Sequence, residues 1–440
     1  MISLAADAYV YGFPLVFDVD QMLRLRYDGI GALRPAPFNE FSHASRLAGP
    51  EDRFVSVNND TLYSVAQLDL SGGPLLLRVP DTGGAYYVLQ FIDAWTNNIA
   101  YVGRRATGTG AATYLVVPPD WRGNAPDGAR VVQSPTTIAT IVGRFACDGP
   151  DDVPRVRALQ EALTLTPLTR DAPLAGVPEP DGLVPEELVF FEKLRVWMAA
   201  FRPATVDLIY QERFTSLGLL ETGGSPYRLP PPELAEALVK GMIEGRQRIE
   251  DLTRQGTGSL VNGWGMGLHL FDYNTDHLGP GTIDAPQWKI TDRAVAYATR
   301  ALAARAGLWG NHAYEAVYAY TFVDSDGEPL VGSRSYALAF PEPPPVEAFW
   351  SLTMYDLPDF FLVANPIDRY SVGDRTPGLR YGEDGSLTIL LQHDRPSDPD
   401  SVANWLPAPA GEFRPIIRLY QPQAAVLDGR YQLPPVQRLR

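Results

Sequence analysis

The chain has 440 residues, with 52 acidic against 37 basic side chains and a formal net charge of -15 at pH 7. A chain of that length holds about two or three domains with a sizeable apolar core, and its acidic field disfavours nucleic acid and anionic lipid as partners. Forty prolines and 39 glycines favour short strands and turns over long helices, and the single cysteine, Cys147, excludes intrachain disulfides and thiolate metal sites.

In chain order, residues 5–27 form an apolar-periodic stretch interrupted by Pro14, which predicts a helix, or two half-helices kinked at the proline. The stretch carries Asp7 and no basic leader, so it reads as neither a secretory signal nor a membrane span, and a soluble, cytoplasmic protein is expected. From Arg53 the texture changes to short runs rich in β-branched and aromatic residues, FVSVNND, LYSVAQLDL, PLLLRV and AYYVLQFI, separated by SGG and DTGG turns. These predict an antiparallel sandwich that, with the N-terminal helix, fills residues 1–150.

A proline-rich acidic connector follows, and apolar residues then recur every three or four positions. Leu188, Phe191, Leu194, Met198 and Phe201 make one predicted helix, and Leu234, Leu238, Met242, Ile249 and Leu252 a second, started by Pro231 and Pro232. Val295, Ala298, Leu302 and Ala306 make a third, ended by Gly307. Residues 151–310 are therefore a connector and helical unit. Strand texture returns over 311–440 in YEAVYAYTFVD, SYALAF, AFWSLTMYD, GSLTILL and FRPIIRLY. The fold class is mainly β with α, two β domains flanking a helical middle.

The phosphate loop, the dinucleotide-binding glycine pattern, the Gly-x-Ser-x-Gly elbow and the His-Glu-x-x-His zinc motif are all missing from the sequence. No cofactor is expected on that ground, a divalent metal being the one alternative. Two polar clusters interrupt the first β region. Asn58, Asn59, Asp60, Thr61 and Tyr63 follow directly on an apolar strand start, and Asp93, Trp95, Thr96, Asn97 and Asn98 end another strand. Each reads either as a turn closed by Asx side chains or as the polar floor of a pocket, in which a carboxylate beside an indole and amides suits a hydroxylated ligand.

The segments RFVSVNNDTLYSVAQLDLSGGPLLLRVPD, YYVLQFIDAWTNNIAYVGRRATG and SPTTIATIVGR resemble the N-terminal half of a two-part bacterial family, domain of unknown function 1254. YALAFPEPPPVEAFWSLTMYD, DRYSVGDRTPGL, DGSLTILLQHDRP and NWLPAPAGEFRPIIRLYQP resemble its C-terminal half, domain of unknown function 1214. The resemblance covers nearly the whole chain. It implies an immunoglobulin-like N-terminal sandwich, a small helical domain and a C-terminal jelly roll, and it implies no established reaction. Shared-site candidates carried by the matching strings are Asn59, Asp60, Tyr63, Asp93, Asn98 and Arg144 in the first half and Trp350, Tyr355, Asp356, Arg369 and Trp405 in the second. Exported members are common in the family, and the missing leader departs from that pattern.

Elsewhere, HLFDYNTDH gathers His269, Asp272, Asp276 and His277 within nine residues, a ligand set for zinc, iron or manganese if the loop folds back, or else a polar loop or lid before the third helix. Trp350, Tyr355, Trp405, Phe349 and Phe360 read mostly as core, and alternation along AFWSLTMYD puts Phe349, Ser351, Thr353 and Tyr355 on one face and Trp350, Leu352, Met354 and Asp356 on the other. Asp356 and Arg369 read as an ion pair or as two sides of a cleft.

The leading expectation is an enzyme that hydrolyses or eliminates from a small polar or carbohydrate-like molecule in a cleft between the β domains. Asp60 and Asp93 would be base and acid, Tyr63 or Tyr355 would donate to the leaving oxygen, and Arg144 would hold an oxyanion. The alternatives are a non-catalytic small-molecule or carbohydrate-binding protein using Trp95, Trp350 and Trp405 as platforms, and a metal-dependent oxidase or hydrolase using His269, Asp272 and His277. The expected partner is a small molecule, with no nucleic acid or membrane, and homo-oligomerisation is left open. All three readings require the polar strand tips of the first β region and the aromatic sheet of the second to share one hollow.

Overall fold

The short β-branched and aromatic runs pair into sheets in the computed structural model, which describes residues 1–256 and 260–439. The first half supplies β1 (Phe41–His43), β2 (Thr61–Asp69), β3 (Leu75–Val79), β4 (Tyr87–Asp93), β5 (Asn98–Gly103), β6 (Ala112–Val117), β7 (Arg130–Gln133), β8 (Ile138–Ala146) and β9 (Thr164–Pro167). They form a sheet of order β1-β2-β8-β4-β5 and a smaller one of order β7-β6-β3-β9. Because β9 pairs with β3, this sheet pair draws on chain beyond residue 150.

The second half supplies β10 (Trp264–Met266), β11 (Ala316–Thr321), β12 (Tyr336–Phe340), β13 (Val346–Asp356), β14 (Ser371–Gly373), β15 (Leu387–Gln392), β16 (Trp405–Pro407), β17 (Phe413–Pro422) and β18 (Val436–Arg438). Their orders are β10-β11-β17-β13-β14 and β16-β15-β12-β18. Pairing is antiparallel except at β6–β7 and β15–β16, and none of the four sheets closes into a barrel. Together with the helices this is a mixed α/β architecture.

Each sheet pair encloses its own core. Leu62, Leu68, Leu89, Phe91, Ile141 and Phe145 meet Leu75, Leu77, Tyr114 and Val116 in the first. Trp350, Leu352, Met354, Ile417 and Leu419 meet Leu338, Ile389 and Leu391 in the second. Side chains alternate across a strand, so the neighbours of these residues lie on the outer faces. In the first pair that face carries Tyr63 opposite Arg144, and in the second it carries Ser351 opposite Arg418 and Tyr355 opposite Arg414. These outer faces are buried too: every residue of β8 and of β17 is buried.

Helices α1 (Ile2–Tyr27), α2 (Val153–Glu161), α3 (Val189–Ala200), α4 (Thr205–Glu212), α5 (Pro232–Gln255) and α6 (Arg293–Gly307) supply the rest of the frame. The start of α5 at Pro232 and the closure of α6 at Gly307 follow the sequence signals, and the Asp292 carboxylate accepts from the Ala294 and Val295 amides to cap α6. α1 runs unbroken through Pro14. It is long and apolar enough to cross a membrane by length and composition, yet Tyr11, Leu15, Val19 and Met22 are packed inside the helical group. A glycine inside a helix costs about 0.5–1 kcal/mol relative to alanine, and α5 carries two where it crosses α1. A Cβ on Gly241 would stand 2.4 Å from the Ala5 Cβ, and one on Gly245 would stand 2.8 Å from the Tyr9 ring.

The outer faces of the two large sheets meet through a mixed polar and aromatic seam. The buried Glu315 carboxylate accepts from the Tyr86 hydroxyl at 3.0 Å and from Arg105 Nε at 2.8 Å, and Phe349 stacks on Tyr420 with ring centres 4.1 Å apart. His312 Nδ1 lies 3.0 Å from the Tyr101 hydroxyl, and its ring stacks on Tyr314. Burial, reinforced by the charge of Arg105, pushes the His312 imidazole down to about 3.

Two stability predictions follow from this packing. Gly241→Ala forces α1 and α5 apart and lowers the urea midpoint by the equivalent of roughly 1–3 kcal/mol, despite the better helix propensity of alanine. His312 stays neutral in the fold while its unfolded counterpart takes a proton near 6.5, so stability is lost as pH falls from that value toward the folded one, at up to ~1.4 kcal/mol per pH unit. Urea midpoints of wild type and His312→Gln measured between about pH 7 and pH 4 should diverge in slope, the variant lacking this loss.

Candidate functional site

A cavity of about 490 Å³ lies where the outer faces of the two large sheets diverge, within the ~300–1,000 Å³ usual for small-molecule sites. The first half contributes Phe54 to Asn58, Tyr63 and Arg144; the second contributes Tyr318, Tyr320, Arg414, Ile416 and Arg418; and the ends of α5 and α6 contribute Glu250, Arg254, Leu302 and Arg305. A side pocket of about 70 Å³ adjoins it and shares Phe54, Val57, Tyr63, Arg144 and Leu308.

Strand geometry builds the charged part of the wall. Arg414, Ile416 and Arg418 stand at period two on β17, so all three face away from the core that Phe413, Ile417 and Leu419 fill. Arg418 donates to Thr353 Oγ1 at 3.1 Å, to the Tyr355 hydroxyl at 2.8 Å and to the Ser56 carbonyl at 2.6 Å. The Tyr355 hydroxyl in turn donates to the Val57 carbonyl at 2.6 Å. Arg414 donates from Nη2 to Ser56 Oγ at 2.5 Å and lies 3.8 Å from the centre of the Phe360 ring, while its buried Nε has no partner among the described residues. Burial lowers the Arg414 guanidinium to about 10. On the opposite wall Arg144 donates to Gln90 Oε1 at 2.8 Å and to the Trp309 carbonyl at 2.7 Å, and sits 5.4 Å from the centre of the Tyr63 ring.

The structure gathers some sequence-predicted residues here and disperses others. Tyr63 and Arg144 line the cavity, and Tyr355 supports it through Arg418. Asn98 holds Gln90, the partner of Arg144, at 2.6 Å. Asp60 and Asn59 lie in the seam behind the wall: Asp60 accepts from Tyr420 at 2.8 Å and from the Ser351 hydroxyl, and Asn59 bonds the Ala48 carbonyl and Ser371. Asp93 lies at the far end of the same sheet. β2 and β4 both pair with β8, where Ala146 meets Thr61 and Ala139 meets Asp93, a separation of seven residues or roughly 23 Å. Asp60 and Asp93 therefore do not form an acid–base pair. Asp93 closes its own turn by accepting from the Trp95 and Asn97 amides, and burial, opposed by Asn97, raises its carboxyl.

The tryptophans are packing residues. Trp95 lies among the helices and donates to the Phe201 carbonyl at 2.8 Å, Trp405 donates to the Gln392 carbonyl at 2.8 Å, and Trp350 is in the core of the second sheet pair. Asp356 and Arg369 are not partners: Asp356 accepts from the Phe361 amide, and Arg369 ties down the carbonyls of Val402, Ala403 and Trp405. His269 Nδ1 lies 2.7 Å from Asp272, whereas His277 engages Asn274 through its backbone; no group of three ligating side chains is assembled among the described residues.

Sequence reasoning passed over Arg414 and Arg418. Their signal is two arginines at period two in FRPIIRLY, a strand whose alternate residues are apolar.

The chain matches the family described as protein of unknown function DUF1254 over residues 38–167 and that described as DUF1214 over residues 315–424. No curated protein matches it. Among solved structures, the VPA0106 protein of Vibrio parahaemolyticus is similar at 23% identity and a TM-score of 0.72, over 100% of both chains, and shares the fold. An uncharacterised protein of Burkholderia cenocepacia matches at 13% identity and a TM-score of 0.47, over 98% of this chain and 88% of its own.

The dispersal of the tryptophans is open to test. Trp95→Ala should destabilise the fold by roughly 3–5 kcal/mol while leaving ligand affinity at the cavity unchanged, as read by denaturant midpoints and by titration with a cavity-directed probe.

Proposed function

As a member of the two-part family that joins domains of unknown function 1254 and 1214, the chain carries both halves of one hollow, and we propose that it binds a small, largely apolar molecule there. The observation that carries this reading is the shared wall. Tyr63 and Arg144 come from the first family domain and Tyr318, Arg414 and Arg418 from the second, so neither encloses the space alone. Phe54, Met266, Leu270, Phe271, Leu302 and Ile416 supply the apolar surface.

Binding has stronger support than turnover. Hydrolysis or elimination by paired carboxylates needs two acids at the ligand; among the described residues the cavity wall carries Glu250, held by Arg305 at 2.7 Å, and the side pocket Asp52, held by Arg46. We also read the first sheet pair as immunoglobulin-like and the second as a jelly roll, a reading supported by their largely antiparallel five-on-four stacking.

The neutral fluorophore N-phenyl-1-naphthylamine tests the site. Wild type should bind about one equivalent with enhanced emission, and Ile416→Trp, which fills the cavity from β17, should weaken binding by at least about tenfold with little change in thermal midpoint. Equal binding by wild type and Ile416→Trp would remove the cavity from consideration.

A further inference from the structure

We propose that the ligand is an organic carboxylate with an apolar, ring-bearing body, its carboxylate seated at Arg414; this rests on the reading of the cavity as a ligand site. Three guanidiniums, those of Arg144, Arg414 and Arg418, are nine-tenths buried or more on its wall. None of them has a carboxylate within 4 Å among the described residues. The other charges on the wall are already matched: Arg305 holds Glu250, and Arg254 faces Asp251 at 3.6 Å. Asp60, behind the wall, accepts from Tyr420 and Ser351 and reaches Arg418 only through space. In a chain of net charge -15, a hollow with three buried cations and no free anion is a local feature, not a reflection of overall composition.

Arg414 is where this arrangement is least complete. Its Nη2 reaches Ser56 Oγ, and its Nε, on the same edge of the guanidinium, is buried without an acceptor among the described residues. A buried donor left unmatched is costly, and the Nε–Nη2 edge of an arginine presents two parallel N–H groups that fit the two oxygens of a carboxylate. Ser56 stands beside that edge as a further donor. Phe360 at 3.8 Å, with Phe322 and Tyr320 at 5.6 and 5.8 Å from the guanidinium carbon, surrounds the same group with ring faces and excludes water. The depressed basicity of Arg414 arises chiefly from burial, and an incoming anion relieves it. The aromatic and aliphatic wall beyond requires a ligand whose remainder is apolar.

Calorimetric titration of the full chain near neutral pH with 2-naphthoate, its neutral isostere 2-naphthamide and 2-naphthyl phosphate separates the possibilities. Wild type should bind the acid at least about 30-fold more tightly than the amide, and Arg414→Gln should abolish most of that difference by weakening the acid far more than the amide. Equal affinities for acid and amide in wild type overturn the carboxylate assignment even while N-phenyl-1-naphthylamine still reports an occupied cavity. Tighter binding of the phosphate than of the acid overturns it as well, in favour of a phosphate ester. The acid-to-amide comparison uses wild type alone, so it decides the matter even if Arg414→Gln fails to fold.

Discussion

Burial of guanidinium groups without carboxylate partners is the constraint on which the middle of this molecule depends. A charge taken out of water must be met by dipoles or by an opposite charge. For Arg418 the dipoles come from β13, through Thr353 and Tyr355, and from the first half of the chain, through the Ser56 carbonyl. Arg414 and Tyr355 hold the same loop, at Ser56 and Val57. The segment that opens the first β region is thus fastened to the sheet of the second, and pulling the halves apart would strip the arginines of most of their partners. Solvating those charges is also how the two sheets could separate, so the seam is strong only while it stays closed.

That constraint explains why a hollow forms at this place. Two sheet faces covered by Leu and Val could pack without gaps, as the interiors of both sheet pairs do. The faces that meet here carry Arg144, Tyr63, Arg414, Arg418, Tyr318 and Tyr320, long side chains whose polar ends must each find partners. Twisted sheets diverge away from their line of contact, and the space so opened is closed by the ends of α5 and α6.

Much of the architecture was legible because it rests on local periodicity. Proline at the first turn of α5, the apolar spacing of α3 and α6, and the alternation along β13 are statements about one segment at a time, and the structure contains each of them. Tyr63 was legible as part of a polar cluster among strand residues, and Arg144 only through the strings that carry the family resemblance, although both lie within strands, β2 and β8. The tryptophans carried two readings, core and stacking platform, because an indole N–H needs only one carbonyl to be satisfied in a core, and the Phe201 carbonyl that satisfies Trp95 arrives from a distant segment that no sequence window contains. Asp93 beside Trp95 carried the same ambiguity, and turn closure decided it. Arg414 and Arg418 were hidden because a strand alternating apolar and charged residues ordinarily has one face in water, and nothing local says that a second sheet covers it.

Depth orders the charges around the hollow. Arg254 and Arg305 sit in the last turns of their helices, where cations suit the negative end of the helix dipole, and their side chains are 72% and 40% exposed. Solvent and their acidic neighbours largely satisfy them, so as surface pairs they contribute little binding energy. Arg414, Arg418 and Arg144 are 9%, 3% and 6% exposed, and none is ion-paired among the described residues, Asp60 and Glu315 acting on Arg418 and Arg144 only through space. Moving inward, the wall passes from matched to unmatched positive charge and from high to low dielectric, and the same unit of ligand charge interacts more strongly with each step. The outer arginines serve attraction at a distance, which salt screens, while the inner three decide which group can stay. Selectivity is therefore concentrated on β17 and β8, the two strands that lie at the centre of their sheets and are least free to move.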